Sequence, residues 1–539
     1  MEMKRFFHSN LWIISVVLFP LSWVTYSGPN LSFLAWFALV PLFAFLNENK
    51  KNFKKFYGAA LAVTSSWTLA TSGWLFHFPI EKWLVALTIF SETVHISAPY
   101  CILYFVQKKI GFSKAVLLLP FMWVGWEWLY LPLQHTMGTH LLPYTQGSNL
   151  WLIQMADLGG MWLISFWVML FNAGLFFILQ SSDFHYRSKR FAISAFQFAT
   201  VMIVLPLLYG GFALQTKKTD AGSSLQVSII PTQFEPEYLN DQENQKAIIE
   251  ETLHRTDSLA YDLLGANKGS DLYVWPEAGT SYWMQFHNLA TILHEATTDW
   301  SGALLTGCRG IPVEGDDQNA YVSGVMVTPR YDSTVAELQY HHKTTLVPGA
   351  ETMPYRDIFK SEKDRANAMS YTAGSSFIPL KLKTKEGDNF NPGISLCYEQ
   401  WFPSVWTKSA NNGTEFFVHM AAEGWYGDVG YAQFMANVSR FRAVETRRSV
   451  VRSSNKGLSM FINALGQTND GIAYGSLNMT TAHVMTSREK TLFSQYPDAL
   501  PISCIAVFVI GLMMSLFENK NPSSIKSLRT VSSLYAPSI

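Results

Sequence analysis

The first 215 residues constrain the fold most. They run as apolar stretches, each near the ~20 residues that a helix needs to cross a bilayer, with short polar connections between them. Seven stretches can be read, at 11–27, 31–47, 56–78, 83–106, 115–133, 161–180 and 191–214, and an eighth at 500–517. A backbone in hydrocarbon must satisfy its own hydrogen bonds, so each is expected to be helical. No small-x-small cleavage site follows the first, and a second begins at once, so the first reads as a retained span. Only 15% of the residues are charged and 49% are hydrophobic, against about 25% charged in an average soluble protein. Disordered, collagen-like and disulfide-scaffold classes are excluded; the four cysteines are few and scattered. Lys+Arg 40 against Asp+Glu 40 leaves no basic field, and nucleic acid is not an expected partner.

The connections carry an orientation signal, because Lys and Arg accumulate on the cytoplasmic side. Lys4 and Arg5 precede the first span. Lys50, Lys51, Lys54 and Lys55 follow the second, Lys108, Lys109 and Lys114 the fourth, and Arg187, Lys189 and Arg190 the sixth. The alternate connections 28–30 and 134–160 hold no Lys or Arg, and 79–82 holds only Lys82. Lys520, Lys526 and Arg529 follow the eighth. Both termini are therefore expected in the cytoplasm, and everything between spans seven and eight outside it. The connection 134–160 is apolar and aromatic but interrupted by Pro143, Gly147, Asn149 and Asp157; it reads as a segment lying in the outer interface. Glu92, His95 and Glu127 are ionisable residues inside spans, where either function or interhelical hydrogen bonding would explain them.

After a polar linker, 215–224, the texture changes. Short β-branched or apolar runs recur at 225–231, 271–277, 302–307, 321–329, 393–399, 415–423, 450–455 and 458–466. A helix is predicted over 241–264, with Ile248, Ile249, Leu253, Leu259, Leu263 and Leu264 as its apolar stripe, and another over about 430–447. Strands alternating with helices predict a layered α/β domain over 225–498, followed by the last span, 499–517, and a tail, 518–539.

Three residues in this domain have chemistry to offer. Cys397 ends the apolar run of GISLCYEQWFP before a predicted helix. Such a strand-to-helix turn can present a nucleophile, and a helix N-terminus lowers a thiol pKa; equally, a lone cysteine beside an apolar run packs as inert core. Glu277 ends DLYVWPE, where Pro276 stops the ladder, as a general base or as a solvated loop acid. Lys343 lies in YHHKTTLVPGAE, where an exposed loop lysine is the ordinary reading.

Taken together, the glutamate of a WPE strand end, the lysine of K-x-x-L-V-P-x-x-E and the cysteine of G-I-S-x-C-Y-E resemble the nitrilase superfamily. The polytopic envelope narrows the resemblance to the apolipoprotein N-acyltransferase family. EGWYGDVGYAQFMANVSRFRAVETRRSVVRSSNKGLSMFINALGQ (423–467) is similar to that family's W-[FY]-G-D segment, R-x-x-E helix and R-x-x-N strand.

The resemblance implies a multi-span α-helical membrane domain joined to an α/β nitrilase-like domain, a four-layer α-β-β-α sandwich. It also implies Cys397 as nucleophile, Glu277 as general base and Lys343 as stabiliser of the oxyanion. Glu351 would position the lysine or the base, and Tyr398 and Glu399 would shape the acyl site; Glu399 could instead serve the helix dipole. The implied reaction moves an acyl chain from a phospholipid, such as phosphatidylethanolamine, to the α-amino group of a diacylglyceryl-apolipoprotein. The setting would be the periplasmic face of the bacterial inner membrane, with no metal or diffusible cofactor. A membrane-anchored amidase or hydrolase would use the same trio with water. Trp425 and Tyr426 are candidates for a lipid-facing arm or for aromatic core packing. Cys308 is expected to stay reduced, buried on its strand. In three places the chain departs from the family pattern: Tyr130 follows Glu127-Trp128-Leu129 where an Arg is usual, 138–148 lacks a clear G-F-P-W segment, and 349–354 is close but not identical.

Overall fold

The computed structural model describes residues 10–24, 30–78, 81–180, 189–217, 222–266, 269–277, 279–280, 289–313, 316–329, 338–355, 371–427, 429–468, 471–472 and 474–520. Of the basic residues read for orientation, Lys4, Arg5, Arg187, Lys526 and Arg529 lie outside these.

The membrane part is helical: α1 (Trp12–Val24), α2 (Val40–Glu48), α3 (Phe53–Ser72), α4 (Lys82–Ile110), α5 (Phe112–Tyr130), α6 (Ala156–Gln180) and α7 (Lys189–Thr216). A last long helix, Ala499–Lys520, packs against α5. Among the described residues, four helices are long and apolar enough to cross a membrane: α4, α6, the Phe196–Thr216 part of α7 and Ala499–Phe517.

The stretch 31–47 is not one helix. It forms a 3-10 turn, Ser32–Trp36, and then α2, whose second residue is Pro41. Proline lacks the N–H and crowds the preceding turn, so the helix must start there. The backbone groups freed at the break are met by Asn172 of α6, which donates to the Ala35 carbonyl at 2.8 Å and accepts from the Leu39 N–H at 3.0 Å.

The connection 134–160 differs from expectation. It is not a segment lying against lipid: residues 136–147 are buried, and a 3-10 turn, Leu142–Gln146, packs between the spans and the α/β domain. The intramembrane acids explain this placement, since unpaired backbone groups at that depth need partners. Glu92 accepts from the Met137 N–H at 3.2 Å and meets His140 Nδ1 at 2.9 Å and the Tyr130 hydroxyl. Glu127 accepts from the Leu142 N–H at 2.8 Å and from Ser165. His95 faces His135 at 3.3 Å.

The α/β domain is built on two sheets. Six strands, β1 (Ser224–Ile229), β2 (Leu272–Val274), β3 (Ala303–Val313), β4 (Asp316–Val327), β5 (Leu338–His342) and, last in the chain, Thr480–Met485, run in the order Thr480–Met485, β1, β2, β3, β4, β5. The second sheet holds β6 (Pro392–Leu396), β7 (Phe416–Ala422), β8 (Val450–Asn455) and β9 (Met460–Ile462) in the order β9, β8, β7, β6. β1–β2–β3 and β6–β7–β8 are parallel, and the outer pairs are antiparallel.

Alternation along each strand explains the layering, because successive side chains leave opposite faces. Leu225, Val227 and Ile229 of β1, Leu272 and Val274 of β2, and Phe416, Val418 and Met420 of β7 meet in the core between the sheets. The intervening Tyr273 and Leu304 pack outward against α8 (Gln245–Gly265) and α9 (Leu289–Trp300). Phe417 of β7 packs outward with α10 (Pro403–Asn411) and α11 (Val429–Thr446) into a core continuous with the membrane helices. The result is an α-β-β-α sandwich whose second helical layer faces the membrane domain. On α8 the buried face is Ile248, Thr252, Thr256 and Ala260, with Ile249 beside it; Leu263 and Leu264 are only half-buried. Their crowding at the helix end let periodicity misjudge the stripe.

Candidate active site

Each member of the trio sits where a strand stops. Glu277 follows β2, past Pro276, and is 2% exposed. Lys343 follows β5, its N–H bonded to the Val322 carbonyl at 2.7 Å, and is fully buried. Cys397 follows β6 and opens a five-residue 3-10 turn, Cys397–Trp401. Its φ of 45° is in the left-handed region that a side chain rarely adopts. That strain is the mark of a sharp strand-to-turn elbow that thrusts the side chain out of the sheet.

The three converge. Lys343 Nζ donates to Glu277 Oε1 at 3.2 Å and to Glu351 Oε1 at 2.8 Å, and Cys397 lines the same cavity as Glu277 and Glu351. Glu351 is held by its other oxygen, which accepts from the Val347 N–H at 2.8 Å. The turn 347–352 that carries it needs Gly349, at φ 77°. Glu399 is fully buried and does not reach the cavity beside Cys397. One of its oxygens accepts from the Thr344 N–H at 2.7 Å and hydroxyl at 2.6 Å, the other from the Leu396 N–H at 2.8 Å. It therefore ties the loop that carries Lys343 to the turn that carries Cys397. Tyr398 does line the cavity, and its hydroxyl donates to the Thr136 carbonyl of the buried connection.

The charges set the protonation states. Burial alone would raise the Glu277 pKa, but Lys343 and Arg309, with hydrogen bonds from Lys343 and Cys397, outweigh it and hold the carboxyl below its ordinary value. Burial pushes the Cys397 thiol up, and the Glu277 charge adds to that; Lys343 only partly opposes. The sequence reading of a thiol pKa lowered by a helix N-terminus is thus corrected, since a single 3-10 turn offers little dipole against a buried carboxylate. The resting pair is a neutral thiol beside an ionised carboxylate. Burial would lower the Lys343 pKa, but Glu277 and Glu351 raise it, so the ammonium is kept. Cys308 is buried on β3, its Sγ 3.5 Å from the Arg309 carbonyl oxygen, and is not disulfide-bonded to Cys397.

Cys397 and Glu277 open on a cavity of about 350 Å³, within the range of small-molecule sites. One wall comes from the α/β domain and the other from the membrane domain: Trp74 and Phe78 beyond α3, and Met137 of the buried connection. Trp425 stacks on Phe78 at 4.8 Å, and Tyr426 meets Trp74 edge-on at 4.5 Å. These two residues are therefore packed against the membrane domain and line the cavity at once.

Arg309, Trp74, Phe78 and Trp401 line the cavity without having been singled out from sequence. The signal for Trp74 and Phe78 was GWLFHF at the outer end of an apolar stretch, where aromatic belts sit. For Arg309 it was a cation closing the apolar run GALLTGC. Among the described residues, no group of three His, Cys, Asp or Glu side chains could hold a metal ion.

Known proteins resemble this chain in both of its parts. The model of the apolipoprotein N-acyltransferase N-terminal domain matches residues 15–174, and that of carbon-nitrogen hydrolase matches 236–490. An apolipoprotein N-acyltransferase from Chlorobaculum tepidum is 26% identical over 526 residues, 94% of this chain and 95% of its own. One from Geobacter metallireducens is 24% identical over 511 residues, 92% of each chain. Among solved structures, an amidase from Nesterenkonia sp. AN1 aligns with 52% of this chain and 96% of its own at 14% identity, with a TM-score of 0.37. With both family models matched in order and relatives covered almost end to end, the chain is similar along nearly its whole length to the apolipoprotein N-acyltransferases.

Proposed function

We propose that this enzyme N-acylates apolipoproteins by a ping-pong route through a thioester on Cys397, with a phospholipid such as phosphatidylethanolamine as donor. The observation that carries the reading is the shared cavity. A thiol and a carboxylate bonded to a buried ammonium open on it, opposite a wall supplied by the membrane domain, where a lipid ester could enter and a soluble substrate would gain little.

Glu277 takes the Cys397 proton as Sγ attacks the ester carbonyl of the donor. The oxyanion of the tetrahedral intermediate is met by the third N–H of Lys343, the other two being used by carboxylates. The N–H of Tyr398, in the first turn after the elbow, lacks an intrahelical partner and is the second donor. Collapse breaks the acyl C–O bond. The lysophospholipid leaves with the proton from Glu277, and the thioester remains. The α-amino group of a diacylglyceryl-cysteine then attacks the thioester. Glu277 removes a proton from that nitrogen and returns it to the departing Sγ, which leaves an N-acyl amide and the resting thiol.

The domain limits belong to the same proposal: a membrane domain over 1–214, a catalytic domain over 225–498 outside the cytoplasm, and a last span over 499–517 in the bacterial inner membrane. The alternation of basic connections supports that orientation.

Intact-protein mass spectrometry after incubation with phosphatidylethanolamine and no acceptor tests the reading. A fatty-acyl adduct that hydroxylamine removes and Cys397→Ala abolishes is expected. Release of free fatty acid with no adduct would favour a hydrolase, and neither product would refute the donor.

A further inference from the structure

The trio has an unassigned neighbour. Arg309 stands on β3 where the pairing with β4 shifts register between Arg309 and Ile311, and Gly310 adopts a φ of 81°. A bulge of this kind re-aims a side chain out of the regular alternation, and here it delivers a guanidinium to the cavity wall. Among the described lining residues Arg309 is the only cation; the buried Lys343 has two of its three N–H groups on Glu277 and Glu351.

We propose that Arg309 binds the phosphodiester of the acyl donor and so selects phospholipids for the first half-reaction. The inference rests on the phospholipid reading given above. In such a donor the phosphate is separated from the acyl esters only by the glycerol, so an ester at Cys397 brings the phosphate within the same small cavity. The cavity walls divide to suit an amphiphile. Arg309 lies on the polar side with Glu277 and Glu351, and Trp74, Phe78 and Trp425 form an aromatic side shared with the membrane domain. A volume of about 350 Å³ holds a headgroup and the start of a chain but not two fatty tails, which must pass out between the aromatics. Burial would lower the Arg309 pKa, yet Glu277, Glu351, Tyr371 and Cys397 outweigh it, so the guanidinium stays charged beside the reacting atoms. Guanidinium and phosphate oxygens match as a bidentate pair. The diacylglyceryl-cysteine acceptor carries no phosphate, so the second half-reaction has no use for this contact.

The test compares two donors carrying the same acyl chain, phosphatidylethanolamine and a p-nitrophenyl ester, on full-length enzyme in detergent. Acyl-enzyme is read by intact mass and, for the ester, by the nitrophenolate burst, which also counts intact sites. Arg309→Gln is expected to lower the phospholipid-to-nitrophenyl ratio of acylation rate constants by roughly ten- to a hundredfold, as for one lost charge-assisted hydrogen bond. Arg309→Lys, which keeps the charge but not the fork, should recover part of the ratio and carries the test if the Gln variant gives no burst. An equal loss on both donors would overturn the proposal, by making Arg309 an electrostatic partner of Cys397 and Glu277. An unchanged phospholipid rate would overturn it as well. Wild-type enzyme acylated by the nitrophenyl ester but never by phospholipid would refute the donor reading itself.

Discussion

Glu351 never touches the cysteine, and its replacement by glutamine probes how the site holds its lysine. Its two oxygens face two donors, Lys343 Nζ at 2.8 Å and the Val347 N–H at 2.8 Å. A carboxylate can accept from both. The amide of Glu351→Gln has one oxygen and one NH₂, so whichever way it turns, a donor faces a donor. If it keeps Val347, Lys343 loses a charge-assisted hydrogen bond; if it keeps Lys343, a buried backbone N–H is orphaned. Either loss costs about 1.5–3 kcal/mol. With its charge no longer shared, Lys343 is drawn towards Glu277, away from the position of the oxyanion. At about 1.4 kcal/mol per tenfold in rate, acylation should fall roughly ten- to a hundredfold. Quench-timed intact-mass measurement of thioester formation under saturating donor reads this directly, and the donor concentration for half-maximal rate should hardly move. Because Lys343 then serves Glu277 alone, the acid limb of the pH profile should shift to lower pH. A rate within threefold of wild type would refute the reasoning. A lowered unfolding temperature with an unchanged rate would also refute it, as it would make Glu351 a purely structural residue.

Three further predictions test other parts of the argument. Glu277→Gln removes the base from a thiol whose pKa is raised above its ordinary 9.0, and thioester formation should drop by about 10²–10⁴. In the unaltered enzyme the Glu277 pKa lies below its ordinary 4.5. Activity, and the stability that this ionised group contributes, should therefore persist as pH falls through 4.5 and be lost only as pH passes the depressed value; a midpoint above 4.5 would contradict the assignment. Arg447 reaches from the end of α11 into the membrane domain, meeting Asp157 at 2.7 Å and Gln154 at 2.8 Å. Arg447→Met strands a buried carboxylate and should destabilise by about 3–5 kcal/mol, whereas Arg447→Met with Asp157→Leu should cost less than either single change. Thermal unfolding in detergent that finds the two effects additive would rule out the pair as a coupled latch between domains.

Glu277, Lys343 and Cys397 were legible only together, through the resemblance that their three segments share; alone, WPE and LCYE marked strand ends, and the local pattern made Lys343 an exposed loop residue where the fold buries it. The layered α/β fold was legible because alternation along β1, β2 and β7 has the period of a strand. Other features depend on tertiary partners that no window of sequence contains. The stretch 31–47 looked like one span because Pro41 is tolerated early in a helix, and the break becomes possible only with Asn172, far along the chain, to satisfy Ala35 and Leu39. The connection 134–160 looked interfacial because its apolar and turn-forming residues alternate. Glu92 and Glu127, for which function and interhelical hydrogen bonding were both open readings, hold it through the N–H groups of Met137 and Leu142.

That last correction joins the two halves of the molecule. Glu92 fixes Met137 at the cavity wall, and the neighbouring Thr136 carbonyl accepts from the hydroxyl of Tyr398, the residue after the nucleophile. Trp74 and Phe78 reach the same cavity from the end of α3 and hold Tyr426 and Trp425. A buried carboxylate in a span is costly, and it survives there because it anchors a backbone that would otherwise be unsatisfied. The membrane domain therefore does more than anchor a soluble enzyme to a bilayer. It supplies a wall of the cavity on which Cys397 opens, and for that reason the acids of α4 and α5 belong to the architecture of the candidate site although neither lines it.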